Sequence, residues 1–447
     1  MLGLGAAWAA TSCGLIDGFL DEGEDQASLT GQAGTSALPG SSSAAAGPYG
    51  SGSGGSAMAG GGAGSAGASG AGAGGGAGSG GGAGLPPSAG INAGAPAGRA
   101  INNNQLVCDD GDCRAQGGRC EGGDTCVINC DEDSLICNDE PVECPDGANC
   151  EINCLDEDTC QDEIVCPDDG DCVVNCSEIG TCTELIDCGN SVNCEINCDE
   201  DDSCEGAFAV QGKQAALTLL CQGDGTCSGN TIECGNAGCL IGCDGINTCD
   251  GDMRLEGRKS VVDCNGTQSC SGLIDCSLDQ EGCQINCRGA DSCLQPVTCG
   301  SRGAVQTCEI NCIGPRSCNS DTSCLGQSCT IACDNESCTG EVSCERGTKD
   351  CAISCDDDSC NRNVDCAADT SCNINCDGND SCQQDVKCDS QSGDCTVACG
   401  GDNACDVVDC IAARGTCDID CNGDDACLGG TDCDSDRLVG DCRLDAE

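Results

Sequence analysis

The cysteine phrase C-x-[IV]-x-C recurs along most of this chain and sets a period that any fold of it must obey. It stands as CVINC at 126–130, CEINC at 150–154, CVVNC at 172–176, CQINC at 283–287, CNINC at 372–376 and CDIDC at 417–421. Its second cysteine returns at 130, 154, 176, 198, 221, 243, 264, 287, 312, 333, 355, 376, 399 and 421, in steps of 21 to 25 residues. Cys108 lies one step earlier, which gives 15 coils of about 22 residues. Four cysteine slots fill each coil. The first and second always enclose three residues where both are present, and the other spacings vary, so the fixed spacing marks ordered strand and the variable ones mark loops.

In Cys372-Asn373-Ile374-Asn375-Cys376, alternate residues share one strand face, so Cys, Ile and Cys point one way and the asparagines the other. Val386 and Cys388 share a face in the same manner. Each coil therefore offers two short strands with apolar-plus-cysteine faces, separated by Asp, Gly and Ser turns. One coil buries nothing alone, whereas stacked coils do. The expected fold class is all-β: a disulfide-rich parallel β-solenoid over 105–447, with two main sheet faces and a length of about 70 Å. A conventional core is excluded, because Phe208 is the only aromatic residue after position 104. Gly, Asp, Asn and β-branched residues dominate the array, and all are weak helix formers.

All of the 57 cysteines except Cys13 fall in the array, leaving 56, enough for 28 disulfides in an oxidising compartment. Gaps in the pattern indicate the connectivity. The fourth slot is Val210 and the next first slot Leu217; further on they are Leu255 and Ser260. Fourth and following-first cysteines vanish together twice, so they are read as partners, and second and third then pair with each other. Cys376–Cys382 and Cys388–Cys395 represent the two kinds. A rival scheme joins equivalent slots on adjacent coils, also within disulfide reach. Its odd slot counts would strand four thiols.

Three segments precede the array. Residues 1–12, MLGLGAAWAATS, are apolar and small, and Cys13 follows Ala10-Thr11-Ser12. This resembles the lipobox of bacterial lipoproteins, in which a signal peptide is removed and the cysteine becomes a lipidated N-terminus. The resemblance implies a signal peptide at 1–12 and lipidation at Cys13. Gly14 after the cysteine implies sorting to the outer membrane or cell surface. Residues 13–26 then form a lipid-anchored acidic segment. Residues 27–104 are a Gly/Ala/Ser-rich linker that cannot bury apolar surface and is expected to be disordered.

Composition removes several chemistries. There is no histidine, hence no His-based acid/base or nucleophilic catalysis. A net charge of −59 excludes phosphate-backbone binding, so no nucleic acid partner is expected, and membrane contact is expected only through a lipid anchor. The candidate metal is calcium, and no other cofactor is expected. The acidic turns supply its candidate ligands: Asp199, Asp201 and Asp202; Asp356, Asp357 and Asp358; Asp377 and Asp380; Asp424 and Asp425. The same residue types favour turns and solubility in their own right. A Ser or Thr precedes the third cysteine in 11 of 15 coils and reads as a structural turn device. A functional site should break the repeat. The two interruptions, 205–220 and 250–263, offer Lys213, Arg254, Arg258 and Lys259 but no nucleophile. The resulting reading is a non-enzymatic surface protein, structural or adhesive, whose partner is a cell-surface protein or polysaccharide. A calcium-binding surface module is the alternative, and a polysaccharide-active enzyme the third.

Overall fold

The computed structural model describes residues 105–108, 125–130, 137, 141–209, 216–229, 231–300, 306–433 and 442–446. The signal, anchor and linker segments, with Cys13, lie outside the described residues, as do Val210 and Lys213. The regular elements among the described residues are all strands. None of the described residues forms a helix long and apolar enough to cross a membrane.

The array is a parallel β-solenoid built from two ladders. Long strands, such as Asn149–Cys154, Asp171–Cys176 and Asn193–Cys198, form one. Each pairs in parallel with the same phrase one coil on: Cys150 opposite Cys172 and Ile152 opposite Val174, then Cys172 opposite Cys194 and Val174 opposite Ile196. Short strands, such as Ile164–Val165 and Ile186–Asp187, form the other. The two ladders merge at Val342–Cys355 and Val364–Cys376, where short and long strand run on as one.

Among the described residues the stack comprises about 13 turns, slightly fewer than the 15 expected. At 4.8 Å per coil it is about 60 Å long. At the N-terminal end the strand Gln105–Cys108 pairs so that Cys108 faces Ile128, two residues short of Cys130. Spacing alone placed Cys108 in the second-cysteine series. The strand pairing shifts it, because a strand with no C-x-[IV]-x-C phrase carries nothing that pins its register.

The interior is a set of columns, one residue per coil. Ile152, Val174, Ile196, Leu219 and Ile241 stack on the long-strand side, all fully buried. Ile164, Ile186, Phe208, Ile232 and Met253 stack on the short-strand side. Each full burial contributes about 1.5–3 kcal/mol. Disulfides close the coils from Cys130 to Cys427, alternating second-to-third with fourth-to-next-first except at the two interruptions: Cys376–Cys382 and Cys388–Cys395 are both present, with Cα separations of 6.2 and 5.9 Å. Where cysteines are missing, the slots are filled. Leu217 stands in register with Cys194 and Cys239, and Leu255 with Cys234; both are 1% exposed. Ser260 stands opposite Cys283.

Phe208 packs between Ile186 and Ile232 and fills, two residues before the empty fourth slot, the column that isoleucine holds in the coils on either side. Phe208→Ala should destabilise the array by about 3–5 kcal/mol and lower its melting temperature under non-reducing conditions. An unchanged melting curve would show that the coil holds without it.

Candidate functional site

The turn after the long strand holds all ten acidic candidates, and its backbone explains much of its composition. In every described turn the third cysteine has positive φ, from 48° at Cys318 and Cys382 to 56° at Cys405 and Cys427. The residue two before it is also left-handed: Asp158, Asp202, Asn247, Asp291, Asp358, Asp380, Asn403 and Asp425 among others, with Gly180 and Gly225 serving elsewhere. Asp, Asn and Gly tolerate that region best. Between the two left-handed residues sits the hydroxyl. It donates back to the carbonyl three residues earlier, in Thr159 to Asp156 at 2.8 Å, Ser203 to Glu200 at 2.8 Å and Ser381 to Gly378 at 2.7 Å. The file of Ser and Thr is therefore a turn lock, with each described hydroxyl buried and, Ser317 apart, engaged.

The acids fall in four turns. The structure places 356–358 and 377–380 on adjacent coils and leaves 199–202 and 424–425 on coils of their own. Several act as caps between coils. Asp201 Oδ1 accepts the Asp224 amide at 2.8 Å, and Asp199 Oδ1 accepts the Gln222 side chain at 3.1 Å. Asp357 accepts the Asn379 amide at 2.8 Å, Asn379 accepts that of Asp402 at 3.1 Å, and Asp402 accepts that of Asp424 at 3.2 Å. Asp380 accepts from Asn403 at 3.2 Å, and Asp377 from Asn375 at 2.8 Å. Asp202, Asp358, Asp380 and Asp425 are the left-handed turn residues themselves. The Asp356 carboxyl is held above its ordinary value, first by partial desolvation and then by the charges of Asp334, Asp357 and Asp377.

Two further polar devices carry no obvious signal in composition. The asparagine before the second cysteine forms a ladder: Asn153 donates to Asn129 at 3.0 Å, Asn175 to Asn153 at 2.7 Å and Asn197 to Asn175 at 2.9 Å. It stops at Leu220, then resumes with Asn286 on Asp263 at 2.6 Å and Asn311 on Asn286 at 2.9 Å. The recurring -INC- phrase was the sequence signal for it. The second device is Asp279, fully buried in the loop before Cys283. It accepts from Ser260 Oγ at 2.8 Å and from the amides of Lys259, Ser260, Glu281 and Gly282, each at 3.0 Å. Ser260 and Asp279 thus fill with hydrogen bonds a slot that elsewhere holds a cystine. Neither side chain reaches solvent, so the pair is structural.

Of the cations in the interruptions, Arg254 lies 3.9 Å from Glu233 with both side chains 58% exposed, a surface pair of small energetic value. A shallow groove lined by Glu143, Asp146, Val165, Asp168 and Asp187 has its three aspartates engaged: Asp146 accepts the Asp168 amide at 3.3 Å, Asp168 that of Asn190 at 3.2 Å and Asp187 that of Gly189 at 2.8 Å. Sulfur triads such as Cys154, Cys176 and Cys182 lie within 4.8 Å, but all three are in disulfides, and the thiolate is the metal-binding form. Comparison with protein families, with curated proteins and with solved structures gives no match.

Asp356 and Asp394 should respond to pH in opposite senses. Asp356 is raised, so its ionisation opposes folding as pH rises through the carboxylate range; Asp356→Asn should raise the melting temperature at pH 7 and have no effect below about pH 3. Asp394 is lowered by hydrogen bonds from the Thr416 amide and hydroxyl, at 2.8 and 2.9 Å. Its contribution is present at neutral pH and lost as pH falls through its depressed value, so Asp394→Ala should lower the melting temperature at pH 7 and not in strong acid. Melting curves against pH read both, and water screening of these exposed groups keeps each shift to a few degrees at most.

Proposed function

We propose that the chain is a secreted, lipid-anchored cell-surface protein whose solenoid acts as a rigid acidic rod, structural or adhesive in role, on a flexible tether. The carrying observation is that stacking continues through both interruptions. Phe208, Leu217, Leu255 and the Ser260–Asp279 pair fill them as core, where a catalytic cleft would open the coil. Two covalent staples in most coils suit a molecule exposed outside the reducing cytoplasm. The array carries 71 acidic residues against 16 basic ones over 105–447, which keeps such rods apart and soluble. The lipobox-like run before Cys13 supplies the anchor, and the uncharged segment 27–98 supplies reach. The expected partner is a cell-surface protein or polysaccharide.

Produced with its native upstream region, the wild-type protein should partition into detergent, and Cys13→Ala should release it into the aqueous phase. A variant lacking 105–447 should stay anchored but lose surface attachment. Wild-type protein found wholly in the aqueous phase would overturn the anchored reading, and undiminished attachment without the array would overturn the adhesive one.

Calcium binding is the second reading, favoured by the convergence of Asp334, Asp356, Asp357 and Asp377. Calcium should then raise the melting temperature more than NaCl at equal ionic strength, with saturable heat in calorimetry. Equal effects of the two salts would leave the acids as caps and solubilising groups.

A further inference from the structure

The outward face of the long-strand ladder is mostly polar, but three consecutive coils in the middle of the array turn it apolar. The outward positions there are Ala216, Thr218 and Leu220, then Leu240 and Gly242, then Val261. Leu220, Leu240 and Val261 are half-buried. Leu220 Cδ2 lies over Gly242, where a Cβ would come within 3.2 Å of it. These coils include the two that lack a first-slot cysteine, at Leu217 and Ser260, and the asparagine ladder is interrupted here as well. The repeat is thus broken on both faces of the same strands. Inward, the missing cystines are replaced by packing and hydrogen bonds. Outward, the aliphatic side chains stay part exposed, which marks an interaction surface.

We propose that this island is the centre of a symmetric interface with a second copy of the chain, the two arrays lying face to face. A two-fold axis through Leu240, perpendicular to the sheet, sends each coil and each strand position to the one equally far on the other side of Leu240. Leu240 then meets Leu240, and Thr218 meets Val261, so apolar covers apolar. The charges fit the same axis. Five acids stand at outward positions of the nine long strands from Asn149–Cys154 to Ser328–Cys333, and every one meets an uncharged residue of the second copy. Glu195 meets Gln284, Glu309 meets Val173, Glu151 meets Thr330, Asp171 meets Asn311 and Asp263 meets Ala216. An axis one coil away sets Leu240 against Glu195 or Gln284 instead. Glu195 and Glu309 also accept from Asn197 at 3.4 Å and Asn311 at 2.9 Å, so their carboxylates keep a partner when water leaves. Full overlap of these strands covers about 700 Å² of each copy, about 1,400 Å² in all, within the range of specific interfaces. Away from the contact, 71 acids against 16 bases make the two arrays repel, so pairing is weak at low salt and strengthens as salt screens. The pairing is a property of the array and does not depend on an anchor.

The test uses the oxidised full chain carrying Cys13→Ala, so that neither a lipid nor a free thiol joins two copies, with a chelator present so that no divalent cation bridges them. Sedimentation at several protein concentrations should show a monomer–dimer equilibrium that strengthens between about 0.05 and 0.5 M NaCl. Leu240→Asp puts two carboxylates on the axis and should raise the dissociation constant about a hundredfold or more, with the melting curve of the monomer unchanged. Gln284→Glu sets a carboxylate against Glu195 of the second copy and should weaken pairing about tenfold. Adding Glu195→Gln to that variant should restore it, a rescue that only this axis provides. Monomer at every concentration and salt, a dimer that weakens as salt rises, a dimer indifferent to Leu240→Asp, or failure of the rescue would overturn the pairing. A monomer whose attachment to a cell surface is lost with Leu240→Asp would give the island to another occupant and overturn it as well.

Discussion

Disulfides close the coils from Cys130 to Cys427, and the rest of the structure depends on that closure. A coil of about 22 residues has too little apolar area to hold its own shape. Two small rings in most coils remove conformational freedom from the unfolded chain, each by about 2 kcal/mol in the chain-entropy account. They also pin the long strand at both ends, which fixes which residues face inward. Parallel pairing then adds coil to coil in register, Cys opposite Cys and Ile opposite Ile or Val. The left-handed cysteines show what the staple enforces. A non-glycine residue at φ near 50° costs about 1–2 kcal/mol, and it persists here at every third slot from Cys160 to Cys427 because the bond to the second cysteine over-determines it.

The interruptions show how far that rule bends. Where a cystine is missing, the slot still has to be filled and its polar groups satisfied. Leu217 and Leu255 fill by volume, while Ser260 and Asp279 fill by hydrogen bonding. The coil path survives both solutions, since parallel backbone pairing continues on either side, from Leu217 to Cys239 and from Ser260 to Cys283.

The acidic turns combine two roles that composition cannot separate. Asp201, Asp357 and Asp402 are acceptors for the amides of the next coil, and Asp202, Asp358, Asp380 and Asp425 are there for their backbone tolerance. Stacking these turns places like charges in rows, which is felt at Asp356. Caps of this kind draw neighbouring coils together through amide hydrogen bonds while their charges push them apart. The covalent rings keep that balance from opening the coil.

The sequence by itself determined the period, the inward face of each strand and the coil closure. These are local: the side-chain alternation of C-x-[IV]-x-C needs no partner, and paired gaps at Val210 with Leu217 and Leu255 with Ser260 expose the second class of bond. The hydroxyl before the third cysteine was legible for the same reason, since its acceptor lies three residues away. What only the tertiary structure decided involves residues some 22 apart. The asparagine ladder, the amide caps, the burial of Asp279 and the merging of the two ladders at 342–376 all depend on which residue of one coil lies against which residue of the next. So does the register of Cys108, which carries the right spacing but pairs opposite Ile128. Contacts between coils depend on register, and register is set by the strands that pair rather than by the residues counted between them.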